Sequence, residues 1–271
     1  MDASKEIVDK YISGESTVKI GKEYQKSPST IRNILIRNGV KMRNNKENSR
    51  KYHINDSVFS EINNEEQAYW LGFISADGYV TSSSGNKKIG ISISSRDVEH
   101  LKKFSSFIES DYPIYNYKVS SGYKIGTEYS RILITSDKLY NDLVSFGVVE
   151  HKTDNLKFPS FLNNELVWHY LRGFCDGDGC ITHNGNSYAL KIMCTKDFCN
   201  YLIIFLKENI IDFKYRIESR KENSLTISIN MYGKSAYQTI YKMYNGNSIS
   251  LNRKNEIANK SLEYFGRLYQ R

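Results

Sequence analysis

The 271-residue sequence contains only four cysteines, Cys175, Cys180, Cys194 and Cys199. None forms a Cys-x-x-Cys pair and no histidine stands at zinc-finger spacing, which argues against a structural zinc site. So few thiols in so long a chain do not make a disulfide framework either. They fit reduced, half-buried thiols in an intracellular protein. Long apolar runs are also missing: the longest, Tyr201–Leu206, is far too short to cross a bilayer. The opening Met1-Asp2-Ala3-Ser4-Lys5-Glu6 lacks the apolar core of a signal peptide. His53, His100, His151, His169 and His183 share no ligand spacing. These absences predict a soluble, cytoplasmic protein with no membrane partner. The abundance of Lys, Asn, Ile and Tyr fits an AT-rich genome in a phage, bacterial or organellar host.

An acidic excess is likewise absent; the formal net charge is +8. Its distribution is uneven. Residues 1–52 hold 12 Lys/Arg against 6 Asp/Glu, and the remainder holds 26 against 24. A small basic unit on a nearly neutral body suggests a polyanionic partner, with a solvated basic arm as the alternative. The 39% hydrophobic and 25% charged content is that of a globular chain.

The first forty residues predict three short helices. Ile7, Val8, Tyr11 and Ile12 recur at helical spacing until Gly14. Ser16 caps a second helix carrying Val18, Ile20 and Tyr24. Ser27 caps a third, with Pro28 in the first helical position, where a backbone N–H would have no partner anyway. Ile31, Ile34 and Leu35 point inward and Gly39 terminates it. The pattern resembles a helix-turn-helix of the resolvase/invertase type, here residues 1–42. That resemblance makes the third helix a major-groove reader through Ser29, Thr30, Arg32, Asn33 and Arg37. Residues 43–59, with Arg43, Lys46, Arg50 and Lys51, read as a basic linker that can track phosphates.

The body contains a repeat. Tyr69-Trp70-Leu71-Gly72-Phe73-Ile74-Ser75-Ala76-Asp77-Gly78 is matched about a hundred residues later by Tyr170-Leu171-Arg172-Gly173-Phe174-Cys175-Asp176-Gly177-Asp178-Gly179. Each is followed by a strand, a turn and a second strand. Ser-Arg-Asp at 95–97 or Thr-Lys-Asp at 195–197 then opens a helix. A further strand pair, a helix and a basic element around Lys152 or Lys254 complete the unit. Matching order argues for duplication, giving halves at 60–162 and 163–271. Strand alternation, with Ile89, Ile91 and Ile93 opposite Lys88, Gly90, Ser92 and Ser94, predicts α+β architecture with antiparallel sheets apolar on one face.

Gly72 and Ala76, and Gly173 and Gly177, lie four apart on one face of each motif helix. Small residues there permit close helix approach and justify glycines that each cost about 1 kcal/mol within a helix. Gly78 and Gly179 are expected as left-handed C-terminal residues. Asp77 and Asp178 then sit at helix C-termini, where the macrodipole is already negative. Two such acids brought together need a cation, and Mg²⁺ suits oxygen ligands.

These paired motifs resemble those of a double-motif LAGLIDADG homing endonuclease. The resemblance covers roughly residues 60–265 and implies a pseudo-twofold αββαββα unit used twice, with two sheets against the DNA major groove. It implies a monomer that cuts a long double-stranded site. Asp77 and Asp178, with Gly78 and Gly179, would bind Mg²⁺ (or Mn²⁺), and Lys152 and Lys254 would be the basic active-site residues, with Arg253 as the alternative to Lys254. Ser75 stands where the motif usually has an earlier acid, which Asp176 keeps, and Arg172 occupies a normally small position. A water-positioning Gln is replaced by Ser95 and Thr195. Alternation places Lys87, Lys88, Ser92, Lys118, Arg131, Lys191, Arg216, Arg220, Thr226 and Ser228 on the DNA-reading faces. A non-cleaving DNA-binding regulator and an intron-RNA maturase remain the alternatives.

Overall fold

In the computed structural model, residues 3–43, 51–83, 85–122, 125–150, 152–183, 187–219 and 225–269 are described. They form two units, Met1–Ile54 and Asn55–Arg271. In the first, α1 spans Ala3–Ile12, α2 Thr17–Glu23 and α3 Pro28–Arg37. Ser16 and Ser27 cap α2 and α3 by accepting from the Lys19 and Thr30 amides, each satisfying one otherwise orphaned donor. Ile7, Tyr11, Ile20, Ile31 and Leu35 form the core, with Val8, Tyr24 and Ile34 packed on it. Ile12 and Val18 are exposed rather than inward.

The turn from α2 to α3 is tight because Gly21 allows it. The Lys26 amide donates to the Gly21 carbonyl at 2.8 Å, and a Cβ at Gly21 would stand 2.5 Å from the Lys26 carbonyl oxygen. Gly39, at φ +74°, ends α3 in the left-handed region open to glycine. Arg43 was expected in the linker but belongs to this unit. Its guanidinium lies 4.2 Å from the Tyr11 ring centre and donates to the carbonyls of Gly14 and Glu15.

The second unit runs twice through one plan. The first pass is α4 (Glu65–Asp77), β1 (Gly78–Ser83), β2 (Asn86–Ser94), α5 (Val98–Phe107), β3 (Ile114–Lys118), β4 (Glu128–Thr135), α6 (Asp137–Ser145) and α7 (Lys152–Asn155). The second is α8 (Asn164–Asp178), β5 (Gly179–His183), β6 (Tyr188–Thr195), α9 (Lys196–Asn209), β7 (Tyr215–Ser219), β8 (Thr226–Tyr232), α10 (Gly233–Tyr244) and α11 (Asn252–Tyr269). Each pass forms one four-stranded antiparallel sheet, ordered β1-β2-β4-β3 and β5-β6-β8-β7. The registers correspond, with Gly78 opposite Ile91 and Gly179 opposite Ile192.

Asn64 and Asn163 cap the two motif helices. Residues 68–76 of α4 are all buried, as for a helix enclosed on every side. Segment 55–59, expected as linker, packs instead on this unit. Phe59 is buried with its ring 5.5 Å from Phe107, and the Asn55 amide donates to the Ile108 carbonyl. The buried Phe59 ring outweighed the polar look of the segment. All four cysteines are free thiols, Cys180 exposed and the others buried. No helix among the described residues is long and apolar enough to cross a membrane.

Candidate active site

The two motif helices touch backbone to backbone. A Cβ on Gly72 would stand 2.0 Å from the Tyr170 carbonyl oxygen, and one on Gly173 would stand 1.9 Å from that of Tyr69. One turn further on, a Cβ on Gly177 would meet the Ala76 Cβ at 2.3 Å. Gly72, Ala76, Gly173 and Gly177 therefore line one contact, and larger side chains cannot enter it. The contact ends at Asp77 and Asp178, the last residues of α4 and α8.

Hydroxyl groups lock the same interface. Tyr69 on α4 donates to Asp176 Oδ2 at 2.7 Å, and Tyr170 on α8 meets Ser75. Asp176, fully buried, also accepts from the Tyr244 hydroxyl and the Leu251 amide, each at 2.7 Å. The earlier acid of the second motif is thus an internal hydrogen-bond hub, with its protonation favoured by burial and opposed by these donors. His100 approaches the Tyr69 hydroxyl at 3.0 Å. Burial pushes it down to about 3, so it is neutral.

Gly78 and Gly179 are not left-handed. Their φ values are −80° and −93°, extended, because each already begins a strand. Their glycine character has another cause. A Cβ on Gly78 would lie 2.8 Å from the Ile74 carbonyl oxygen, and one on Gly179 would lie 2.6 Å from that of Cys175. Those oxygens accept from the two site lysines. Lys152 Nζ donates to Ile74 O at 2.9 Å and to Ala76 O. Lys254 Nζ donates to the carbonyls of Cys175 (2.6 Å), Gly177 (3.3 Å) and Gly179 (2.7 Å). Each ammonium thus caps the negative end of its own motif helix. The cation that the two helix ends demanded is supplied in part by the chain itself. Arg253 pairs with Asp97 at 3.0 Å and its charge also pulls Asp77 down, but it is Lys254 that occupies the place matching Lys152, at the end of α8.

Asp77 and Asp178 each keep one side open to solvent, yet protein surrounds the others. Burial first, and then the Asp178 charge, push Asp77 up to about 6, while Lys254 and Lys152 pull it down. Burial also raises Asp178, against the same two lysines. Lys152 is lowered to about 8 by burial, against the pull of both carboxylates. Among the described residues no donor lies within hydrogen-bond distance of either carboxylate. Two neighbouring, open, unbonded carboxylates form the oxygen-donor set a hard divalent cation accepts, so these residues fit one. No group of three or more His, Cys, Asp or Glu gathers among the described residues, at this site or any other.

Ser29, Thr30, Arg32, Asn33 and Arg37 are all exposed on α3. On the first sheet Lys88, Ser92 and Arg131 share the face opposite Ile89, Ile91 and Ile93. Lys118 does not. It pairs across from Glu128, on the parity of Ile132, and forms an ion pair with it at 3.1 Å. Lys87 also points the other way, donating to Asn141. On the second sheet Lys191, Arg216, Thr226 and Ser228 share the polar face, with Lys191 bound to Glu218 at 3.2 Å. Arg220 lies outside the described residues. Thr195 caps α9 and donates to the Leu156 carbonyl at 2.8 Å, and Ser95 accepts from Ser130. Tyr117 and Asn230 also occupy the polar faces and were missed; period-two alternation from Arg131 and Ser228 reaches both once the register is known.

Residues 64–142 match the family model of the LAGLIDADG-like domain. No curated protein matches the chain. Among solved structures, the homing endonuclease I-DmoI in complex with DNA and calcium is 14% identical, with a TM-score of 0.49, over 76% of this chain and 99% of that one. An I-DmoI variant with its target DNA and magnesium is 15% identical, with a TM-score of 0.47, over 71% and 99%. The LAGLIDADG homing endonuclease I-SmaMI bound to cleaved DNA is 14% identical, with a TM-score of 0.46, over 76% and 96%.

Proposed function

We propose that the chain is a metal-dependent, sequence-specific endonuclease of double-stranded DNA, with one carboxylate from each half. The observation that carries this reading is the pair Asp77 and Asp178, without a hydrogen-bond donor among the described residues, at the ends of two helices each capped by a lysine. Both carboxylates would hold Mg²⁺, or Mn²⁺ in its place, which supplies Lewis acidity and a more acidic bound water at a scissile phosphate. Lys152 has one Nζ proton left beyond its two carbonyls and can donate it to a phosphate oxygen. Lys254 has all three engaged, so it contributes positive charge through space. Because one chain carries both halves, a monomer suffices to cut both strands.

The polar sheet faces would read base edges, and α3 of the N-terminal unit would enter a major groove. Binding at so many positions would be strongly salt-dependent. The test is selection from a randomised duplex library, followed by incubation of the bound sites with and without Mg²⁺. Mg²⁺-dependent cleavage at a long site is the expected result. Tight specific binding with no cleavage in Mg²⁺ or Mn²⁺ would overturn the nuclease and leave a regulator.

A further inference from the structure

The polar face of the first sheet is unlike that of the second. On its two central strands, Ser92 of β2 stands directly opposite Arg131 of β4, and Tyr115 of edge strand β3 stands opposite Arg131 on the other side. Tyr117, two residues along β3, reaches across β4 so that its hydroxyl meets the Ser92 hydroxyl at 2.7 Å. Its ring stacks with Tyr129, centres 6.0 Å apart. The Arg131 guanidinium carbon lies 5.6 Å from the centre of that Tyr117 ring. Among the described residues, Arg131 Nε is enclosed without a hydrogen-bond partner and no carboxylate is paired with this arginine. A stacked, half-buried guanidinium has its stem fixed, and its terminal N–H fork remains unmatched. Such a fork matches two adjacent acceptors.

The corresponding place on the second sheet holds different chemistry. There Met193 faces Ser228, and Ser228 faces Glu218. Glu218 is bound to Lys191 at 3.2 Å. The fork of Arg131 therefore has no counterpart at the matching position of the other half.

We propose that Arg131, held by Tyr117 and Ser92, is a guanine-reading element that fixes one base pair of the first half-site. The proposal rests on the reading above that this sheet face contacts DNA. Guanine presents O6 and N7 in the major groove, the acceptor pair an arginine fork engages. A phosphate could also accept from arginine. The central-strand position favours the base, because phosphates border a groove and the central strands lie away from the sheet edges. Tyr117 is a positioning residue, acting on the base through Arg131.

The test is site selection by the whole chain from a randomised duplex library in metal-free buffer, comparing wild type, Arg131→Ala, Arg131→Lys and Tyr117→Ala. The wild type should show one position with a strong guanine preference. In Arg131→Ala that preference should fall by about ten- to a hundredfold, with the rest of the site unchanged. Arg131→Lys should restore it only in part, since an ammonium has no fork. Tyr117→Ala should weaken guanine preference at that same position. Uniform weakening on all sequences with a shallower salt dependence would identify a phosphate contact and overturn the proposal. So would an unchanged selected site in Arg131→Ala, or an effect of Tyr117→Ala at a different position. If the wild type selects no sequence at all, the DNA-reading assignment of the sheet fails first, a result distinct from these.

Discussion

In the first half of the body, Lys152 donates to two carbonyls at the end of α4 and begins a four-residue helix. In the second, Lys254 donates to three carbonyls at the end of α8 and is anchored in the eighteen-residue α11. The Leu251 amide just before α11 is held by Asp176, whereas the first half has Ser75 at the matching place. Arg172, fully buried, donates to Glu65 at 2.7 Å and to the carbonyls of Ile249 and Met243 at 2.8 Å; its counterpart is Leu71. The duplicated plan thus preserves what the helix contact and the two carboxylates require. It permits divergence where a side chain only supports a loop. The second half binds its lysine more firmly than the first.

The largest expected effect probes what the halves share. Gly72→Ala and Gly173→Ala should each destabilise the body by about 3 kcal/mol or more, at or beyond the upper end of overpacking costs, because each new Cβ meets a backbone oxygen. Urea unfolding measures this, and tolerance of either substitution would contradict the close helix contact. Next, Arg172→Met should cost about 3 kcal/mol. That is the lower end for removing one partner of a buried ion pair, since Glu65 keeps contact with water. Thermal melts that leave this variant at the wild-type midpoint would remove Arg172 from the comparison.

Smaller still is the difference between the lysines. Lys254→Met leaves three carbonyls without their donor and should cost about 1–3 kcal/mol. Lys152→Met should cost less, because its site is shallower. Equal or reversed costs would show that the two anchors are equivalent. The smallest effect concerns pH. In the metal-free protein Asp77 is raised to about 6 from 3.8, so the fold holds this proton more tightly than the unfolded chain does. Its favourable contribution is complete below pH 3.8 and is lost as pH rises through about 6. Asp77→Asn should therefore raise the melting temperature at pH 7 relative to wild type and lose that advantage near pH 4. Cation binding should strengthen over the same rise in pH, as the competing proton leaves. A pH-independent difference would contradict the shared environment of the two acids.

Much of this arrangement was legible in local sequence. The repeated motif identified the small residues of the helix contact because glycine within a helix needs a reason. Asp77 and Asp178 followed from the ends of those helices. Ser27 and Pro28 marked the start of α3. What escaped depended on partners distant along the chain. Nothing near Arg172 signals Glu65, 107 residues away, and nothing near Asp176 signals Tyr69 and Tyr244. Lys118 was assigned to the wrong face because alternation gives parity only after the register is known, and β3 sets it by placing Tyr117 opposite Tyr129. Gly78 and Gly179 look like helix-ending glycines in sequence. Their extended backbone follows from strands that begin without a turn, and their lack of a Cβ from crowding at the Ile74 and Cys175 carbonyls.

The account stands on the two carboxylates acting together at one cleavage centre. The direct measurement is strand-resolved cleavage of the selected DNA site in Mg²⁺ by the wild type, Asp77→Asn and Asp178→Asn, with binding measured alongside. The account predicts that the wild type cuts both strands and that either substitution abolishes cleavage or leaves only a nick, while DNA binding survives. Double-strand cleavage by both variants at the wild-type rate would contradict it.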